Sequence, residues 1–116
     1  MGIISETYSK NIEERKKPIV TSFGEIPMRV SGYAELKEWD DSTSKRRQTL
    51  IENNMELYAA MVLKQWSLIP GVSESSEEEI VADIRKDFIG DDVSAVVEWW
   101  LDISGVLRTI NFQKRR

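Results

Sequence analysis

The sequence predicts a mainly α-helical protein: a small helical bundle of about four helices with an N-terminal β-hairpin, forming a single domain over residues 1–116. Three observations predict it. Apolar residues recur at spacings of three and four from Leu50 to Leu68. Apolar residues alternate at period two from Ile26 to Val30, just after the strand-forming run Ile19-Val20-Thr21. Two further apolar segments after Pro70-Gly71 each begin with acidic or hydroxyl side chains suited to capping a helix.

Taken in order, residues 1–16 are polar and mixed in charge, and they are expected to be flexible, as are residues 113–116. From Lys17 to Val30 the strand formers Ile19, Val20, Thr21 and Phe23 precede the alternating Ile26, Met28 and Val30, so a hairpin is expected with its turn at Gly24-Glu25. Pro18 and Pro27 cannot donate to a ladder and belong at strand ends or edges. An isolated hairpin is marginal in water, so this one must pack on helices or pair with another strand.

Ser31 is a plausible N-cap for a short helix from Tyr33 to about Trp39, and Asp40-Asp41-Ser42-Thr43 is expected to break or kink it. The central helix then runs from Ser44 to Leu68, about 25 residues and roughly 37 Å. Ile51, Met55, Tyr58, Val62 and Trp66 form its apolar stripe, widened by Leu50, Leu57 and Met61. Pro70 and Gly71 end it.

Ser76 and Glu79 fit a capping box that opens a third helix, with Ser73 and Ser76 as competing caps, Ile80, Val81, Ile84 and Phe88 inside and Gly90 at its end. Asp91 or Asp92 caps a fourth helix, Val93 to Ser104, whose stripe is Val93, Val96, Val97, Trp100 and Ile103. Gly105 is expected past its end, followed by an extended segment from Val106 to Phe112.

Composition narrows the function classes. The chain has no Cys, which excludes a disulfide framework and thiolate metal sites, and no His, which removes the commonest general base and metal ligand. A net charge of −4 argues against general nucleic-acid binding. The N-terminus lacks the apolar core of a signal peptide, and Glu6 departs from the Ser or Thr of a myristoylation signal. No apolar run approaches bilayer length, so no membrane association is expected and the cytoplasm is the expected compartment.

The acidic run Glu77-Glu78-Glu79 lies in a first turn, where the helix dipole favours negative charge, and its members point in different directions. It reads as capping and not as a metal site. Asp87, Asp91 and Asp92 lack an accompanying nucleophile or phosphate loop and read as caps and solvated carboxylates. The expectation is therefore a non-enzymatic protein without cofactor or metal. Trp99-Trp100 is more informative. Adjacent helical residues diverge by about 100°, so Trp100 joins the core stripe while Trp99 sits at its margin. That makes Trp99 a candidate partner anchor, since tryptophan is favoured at interface hot spots. Lys114-Arg115-Arg116 with Arg108 forms a weak basic patch.

From Phe23 to Gly105 the order of elements resembles the tail assembly chaperones of long-tailed bacteriophages. The residues that carry the resemblance are Gly24, Glu25, Ile26, Arg29 and Val30 in the strand pair and Ser31-Gly32-Tyr33-Ala34-Glu35-Leu36 at the helix opening. The helix Met55–Trp66, the loop Ile69-Pro70-Gly71-Val72-Ser73 and the last helix ending at Gly105 complete it. The resemblance implies a transient chaperone that binds the tape-measure or tail-tube protein during tail assembly in the host cytoplasm, with a homo-oligomer as a possible form. Partner-binding residues are then expected at Trp99 and Trp66, and along Ile26, Met28 and Val30, where a client strand can add to the hairpin edge. Two other readings stand beside it: a small regulator that inhibits a host enzyme through its acidic face, and a structural virion component.

Overall fold

The computed structural model describes residues 18–114, and of residues 105–114 the backbone alone. Its elements follow the order β1 (Ile19–Thr21), β2 (Gly24–Ile26), α1 (Tyr33–Asn53), α2 (Met55–Trp66), α3 (Glu77–Asp87) and α4 (Gly90–Lys114). The fold is mainly helical with an N-terminal antiparallel hairpin, as the apolar periods require. Of the expected flexible ends, 1–16 and 113–116, residues 1–16 and 115–116 and the side chains of the basic patch lie outside the described residues, while the backbone of 113 and 114 continues the last helix.

The hairpin pairs Ile19 with Ile26, Val20 with Glu25 and Thr21 with Gly24. Its turn is Ser22-Phe23, not Gly24-Glu25. This register puts Ile19 and Ile26 on one face, where both are buried. Gly24 opens β2 at φ 138, a backbone region that side chains with a Cβ rarely enter, which is why glycine stands there. Thr21 Oγ1 donates to the Gly24 carbonyl at 2.5 Å and closes the turn.

Beyond Ile26 the chain leaves β1, because Pro27 has no N–H for the ladder. It pairs instead with the end of α2. Leu68 N–H donates to Pro27 O and Arg29 N–H to Trp66 O, each at 2.8 Å, around a Met28–Ser67 bridge. This pairing stops α2 at Trp66, two residues before the expected end. The reversal that follows is a type II turn: Val72 N–H donates to Ile69 O at 3.3 Å, with Pro70 and Gly71 at the central positions and Gly71 at φ 86.

The expected break at Asp40–Thr43 is absent, and the expected single helix from Ser44 is instead two. Within α1 the polar side chains are absorbed by helical neighbours. Ser42 Oγ and Thr43 Oγ1 donate to Trp39 O at 2.8 and 2.9 Å, Lys37 pairs with Asp41 at 3.0 Å, and Arg47 pairs with Asp40 at 2.5 Å. The Asp41 carboxylate beside Lys37 raises the ammonium's pKa. Ser31 does not cap α1; the N-cap is Gly32, and Ser31 Oγ donates to Glu35 at 2.8 Å instead. The break falls at Asn54, which leaves helical geometry (φ −155, ψ 66) and accepts from Leu57 N–H at 3.3 Å to cap α2.

The capping box of α3 is present as expected, Ser76 Oγ accepting from Glu79 N–H and Glu79 Oε1 from Ser76 N–H, each at 3.1 Å. The Ser76 N–H, and after it the Ser76 hydroxyl, holds the Glu79 carboxyl below its usual range. Gly90 begins α4 and does not end α3, whose C-cap is Phe88. The backbone of α4 stays helical through Gly105 to Lys114, where an extended segment was expected. The helical penalty of β-branched residues such as those at 106, 109 and 110 is a few tenths of a kcal/mol each, and a glycine costs about 1, too little to stop a helix already propagating.

The core lies where α2 packs against both α3 and α4, with β1 laid on α4. Its centre is aromatic. Trp66 and Trp100 stack with ring centroids 5.5 Å apart and planes 14° from parallel. Trp39 meets Trp100 edge-on at 4.6 Å and Trp66 at 5.9 Å, and Tyr58 closes the group 6.4 Å from Trp39. Ala59 and Ala60 are fully buried, which lets neighbouring helices approach α2 closely. Burial pushes the Tyr58 hydroxyl's pKa up, and among the described residues no hydrogen bond of good geometry reaches it.

Candidate protein-interaction surface

The core decides the fate of the expected partner anchors. Trp66 has no exposed surface, Ile26 retains 1% and Met28 2%, so none of the three is open to a partner in this conformation. Trp66 is enclosed by Trp100 and Trp39 and covered by the Arg29 guanidinium, 4.7 Å from its ring centre. Residues 27–29 already pair with 66–68, so the edge expected to receive a client strand is occupied by this chain itself. Val30 and Trp99 are half-buried against the core. Trp99 lies at the margin of the α4 stripe, as the divergence of adjacent residues requires, with its indole N–H buried and unpaired among the described residues.

Among the described residues the large apolar side chains left in water are different ones: Val20, Phe23, Tyr33, Leu68, Ile69 and Ile89. Phe23 and Ile89 belong to one knuckle. The Phe23 ring, 53% exposed at the hairpin turn, lies 4.9 Å from the ring of Phe88. Ile89, 57% exposed, follows directly in the connection between α3 and α4. Neither residue was among the expected anchors. The available signal was that Ile89 falls between the α3 and α4 stripes, so no helix face claims it.

Asp92 holds the knuckle together. The residue is 3% exposed, and its carboxylate accepts three hydrogen bonds: from Ser22 N–H at 2.8 Å, Ser22 Oγ at 2.6 Å and Ile89 N–H at 3.1 Å. The expected N-cap at Asp91 or Asp92 is not there, because α4 begins at Gly90, three residues ahead of the expected Val93, and both carboxylates lie in its first turn. From that position Asp92 reaches back to Ile89 N–H just ahead of the helix and ties the hairpin turn to α4 across 70 residues of sequence. The Ser22 hydroxyl, ahead of the two N–H groups, holds this carboxyl below the usual carboxylate range against the opposing effect of burial. Because the folded value lies below the unfolded one, the ionised group's contribution to stability is complete above about pH 4 and disappears as pH falls through the folded value. Asp92→Asn should lower Tm at pH 7 by about 5 °C, and the gap to the unmodified protein should narrow as pH falls below about 4. Thermal melts that keep a constant gap through that fall in pH would contradict this role.

Two grooves lie around the start of α2. Asn54, Leu57, Val81, Ala82 and Arg85 line a groove of about 450 Å3 between α2 and α3, with Glu77 and Glu78 at its end. A second groove of about 470 Å3 continues from Asn54 and Arg85 past Glu52, Glu56 and Met55. Among the described residues no group of His, Cys, Asp or Glu is placed to hold a metal ion. Nor, among those residues, is any helix long and apolar enough to cross a membrane. Compared with known families, curated proteins and solved structures, the chain finds no match.

Proposed function

We propose that this protein is a non-enzymatic phage tail assembly chaperone, holding an apolar stretch of a tape-measure or tail-tube protein during tail morphogenesis in the host cytoplasm. The reading rests on the apolar knuckle of Phe23, Phe88 and Ile89, which a buried carboxylate fixes in place and two exposed apolar side chains present to water. A rigid apolar projection on an acidic, self-repelling exterior suits a protein that grips an apolar chain without aggregating with its own copies. The sequence resemblance supplies the class of client.

Co-expression with a tape-measure fragment, read as the soluble fraction of that fragment, tests the proposal. The fragment should be soluble only in the presence of this protein, and Ile89→Asp should abolish the effect while leaving the circular dichroism spectrum unchanged. A fragment that precipitates equally with and without the protein would sink the chaperone reading. Recovery of the protein in purified virions would instead favour a structural role.

A further inference from the structure

The grooves around Asn54 are not used by the knuckle, and their chemistry points to a different occupant. On α3, residues 77, 78, 81, 82 and 85 recur at helical spacing and make one face, on which Val81 is half-buried against the core and Glu78, Ala82 and Arg85 are exposed, while Ile80 and Ile84 fill the core from the adjoining face. Across from it stands Leu57, in the first turn of α2. The floor is apolar (Leu57, Val81 and Ala82) and the surroundings are acidic. The two grooves together are lined by Glu52, Glu56, Glu77 and Glu78 against a single cation, Arg85. Arg85 is already paired with Glu56 at 2.5 Å, whereas Glu77 and Glu78 form no ion pair among the described residues.

From this charge complementarity we propose that the groove between α2 and α3 is a docking site for a basic amphipathic helix of a partner protein. The groove admits a few side chains and not a whole helix. The partner helix therefore lies along the α3 face and inserts an apolar stripe between Leu57 and Val81. Its flanking Lys or Arg side chains meet Glu77 and Glu78 at one end and Glu52 at the other. The acidic rim excludes acidic helices of the same apolar pattern, which gives the site selectivity as well as attraction.

The probe is a synthetic helix about 18 residues long, built of Leu, Ala, Lys and Arg with Leu at i, i+3, i+4 and i+7. Its control is a scrambled isomer of identical charge. Titrated into the full chain, the helix should shift the backbone amides of Leu57, Val81 and Ala82, and the isomer should not. Glu77→Gln with Glu78→Gln should weaken binding about tenfold, the scale of two lost charge contacts. Ala82→Arg, at an exposed helix position that tolerates Arg, should abolish binding without touching the helix cap. Ile89→Asp should leave it unchanged, which separates this site from the knuckle. Absence of binding, equal binding of the scrambled isomer, insensitivity to Ala82→Arg, or loss of binding in Ile89→Asp would each overturn the proposal.

Discussion

Replacing Trp100 with Ala should remove about 3–5 kcal/mol of stability, out of a total that for domains of this kind is about 5–15 kcal/mol. The Trp100 side chain is fully buried, stacked on Trp66 and met edge-on by Trp39, so its loss opens the aromatic centre where α1, α2 and α4 meet. The ring cannot be replaced by collapse, because Trp66 is held from its other side by Arg29. Urea unfolding followed by near-ultraviolet circular dichroism should show a greatly lowered midpoint or no folded baseline. Trp100→Phe should cost less, about 1–2 kcal/mol. It keeps a ring in the stack and also deletes an indole N–H that is buried without a partner among the described residues. A Trp100→Ala protein within about 1 kcal/mol of the original would mean that the aromatic centre is not what holds the helices together.

Arg29→Ala should cost about 2–3 kcal/mol. Nε and Nη2 of Arg29 donate to the Gln65 carbonyl at 3.1 and 2.8 Å, one of the C-terminal carbonyls of α2 that the helix itself leaves without a partner. Nη1 reaches Ser31 Oγ and Glu35 Oε2, each at 2.9 Å, at the start of α1. One guanidinium thus joins the end of α2 to the beginning of α1 and covers Trp66. The Ser31 hydroxyl, and after it Arg29, lowers the Glu35 carboxyl's pKa. Arg29→Lys should recover less than half of the loss, because an ammonium cannot reproduce the fork or lie flat over an indole. Most of the loss should persist in 1 M salt, since a carbonyl is not a screened charge and the Arg29–Glu35 pair is exposed. Denaturation of Arg29→Ala and Arg29→Lys at low and high salt measures both points. A loss that vanishes with salt would assign the effect to the ion pair alone.

These two residues mark the boundary of what was legible. The role of Trp100 follows from the 3.6-residue period, because Val96, Val97, Trp100 and Ile103 form one face whatever the partner. The capping box at Ser76 was legible because all its atoms lie within four residues. Arg29 was visible only as part of a motif, because its partner Gln65 is 36 residues away. The same distance problem hid the turn at Ser22-Phe23, which Asp92 secures from α4, and the closing of the strand edge by residues 66–68. Asp40 to Thr43 misled for a more local reason. Asp, Ser and Thr can end a helix or be satisfied inside one, and Arg47, Lys37 and the Trp39 carbonyl decided for the latter.

By itself the sequence determined the helical class, the core stripe of α4 and most of those of α2 and α3, the cap of α3 and an apolar content in which some large side chains stay wet. Periods and caps are local, and local geometry enforces them. The tertiary structure alone decided which apolar residues those are. Trp66, Ile26 and Met28 were drawn inside, and Phe23 and Ile89 were left in water, because burial depends on which surfaces meet, and that is set by contacts between residues distant along the chain.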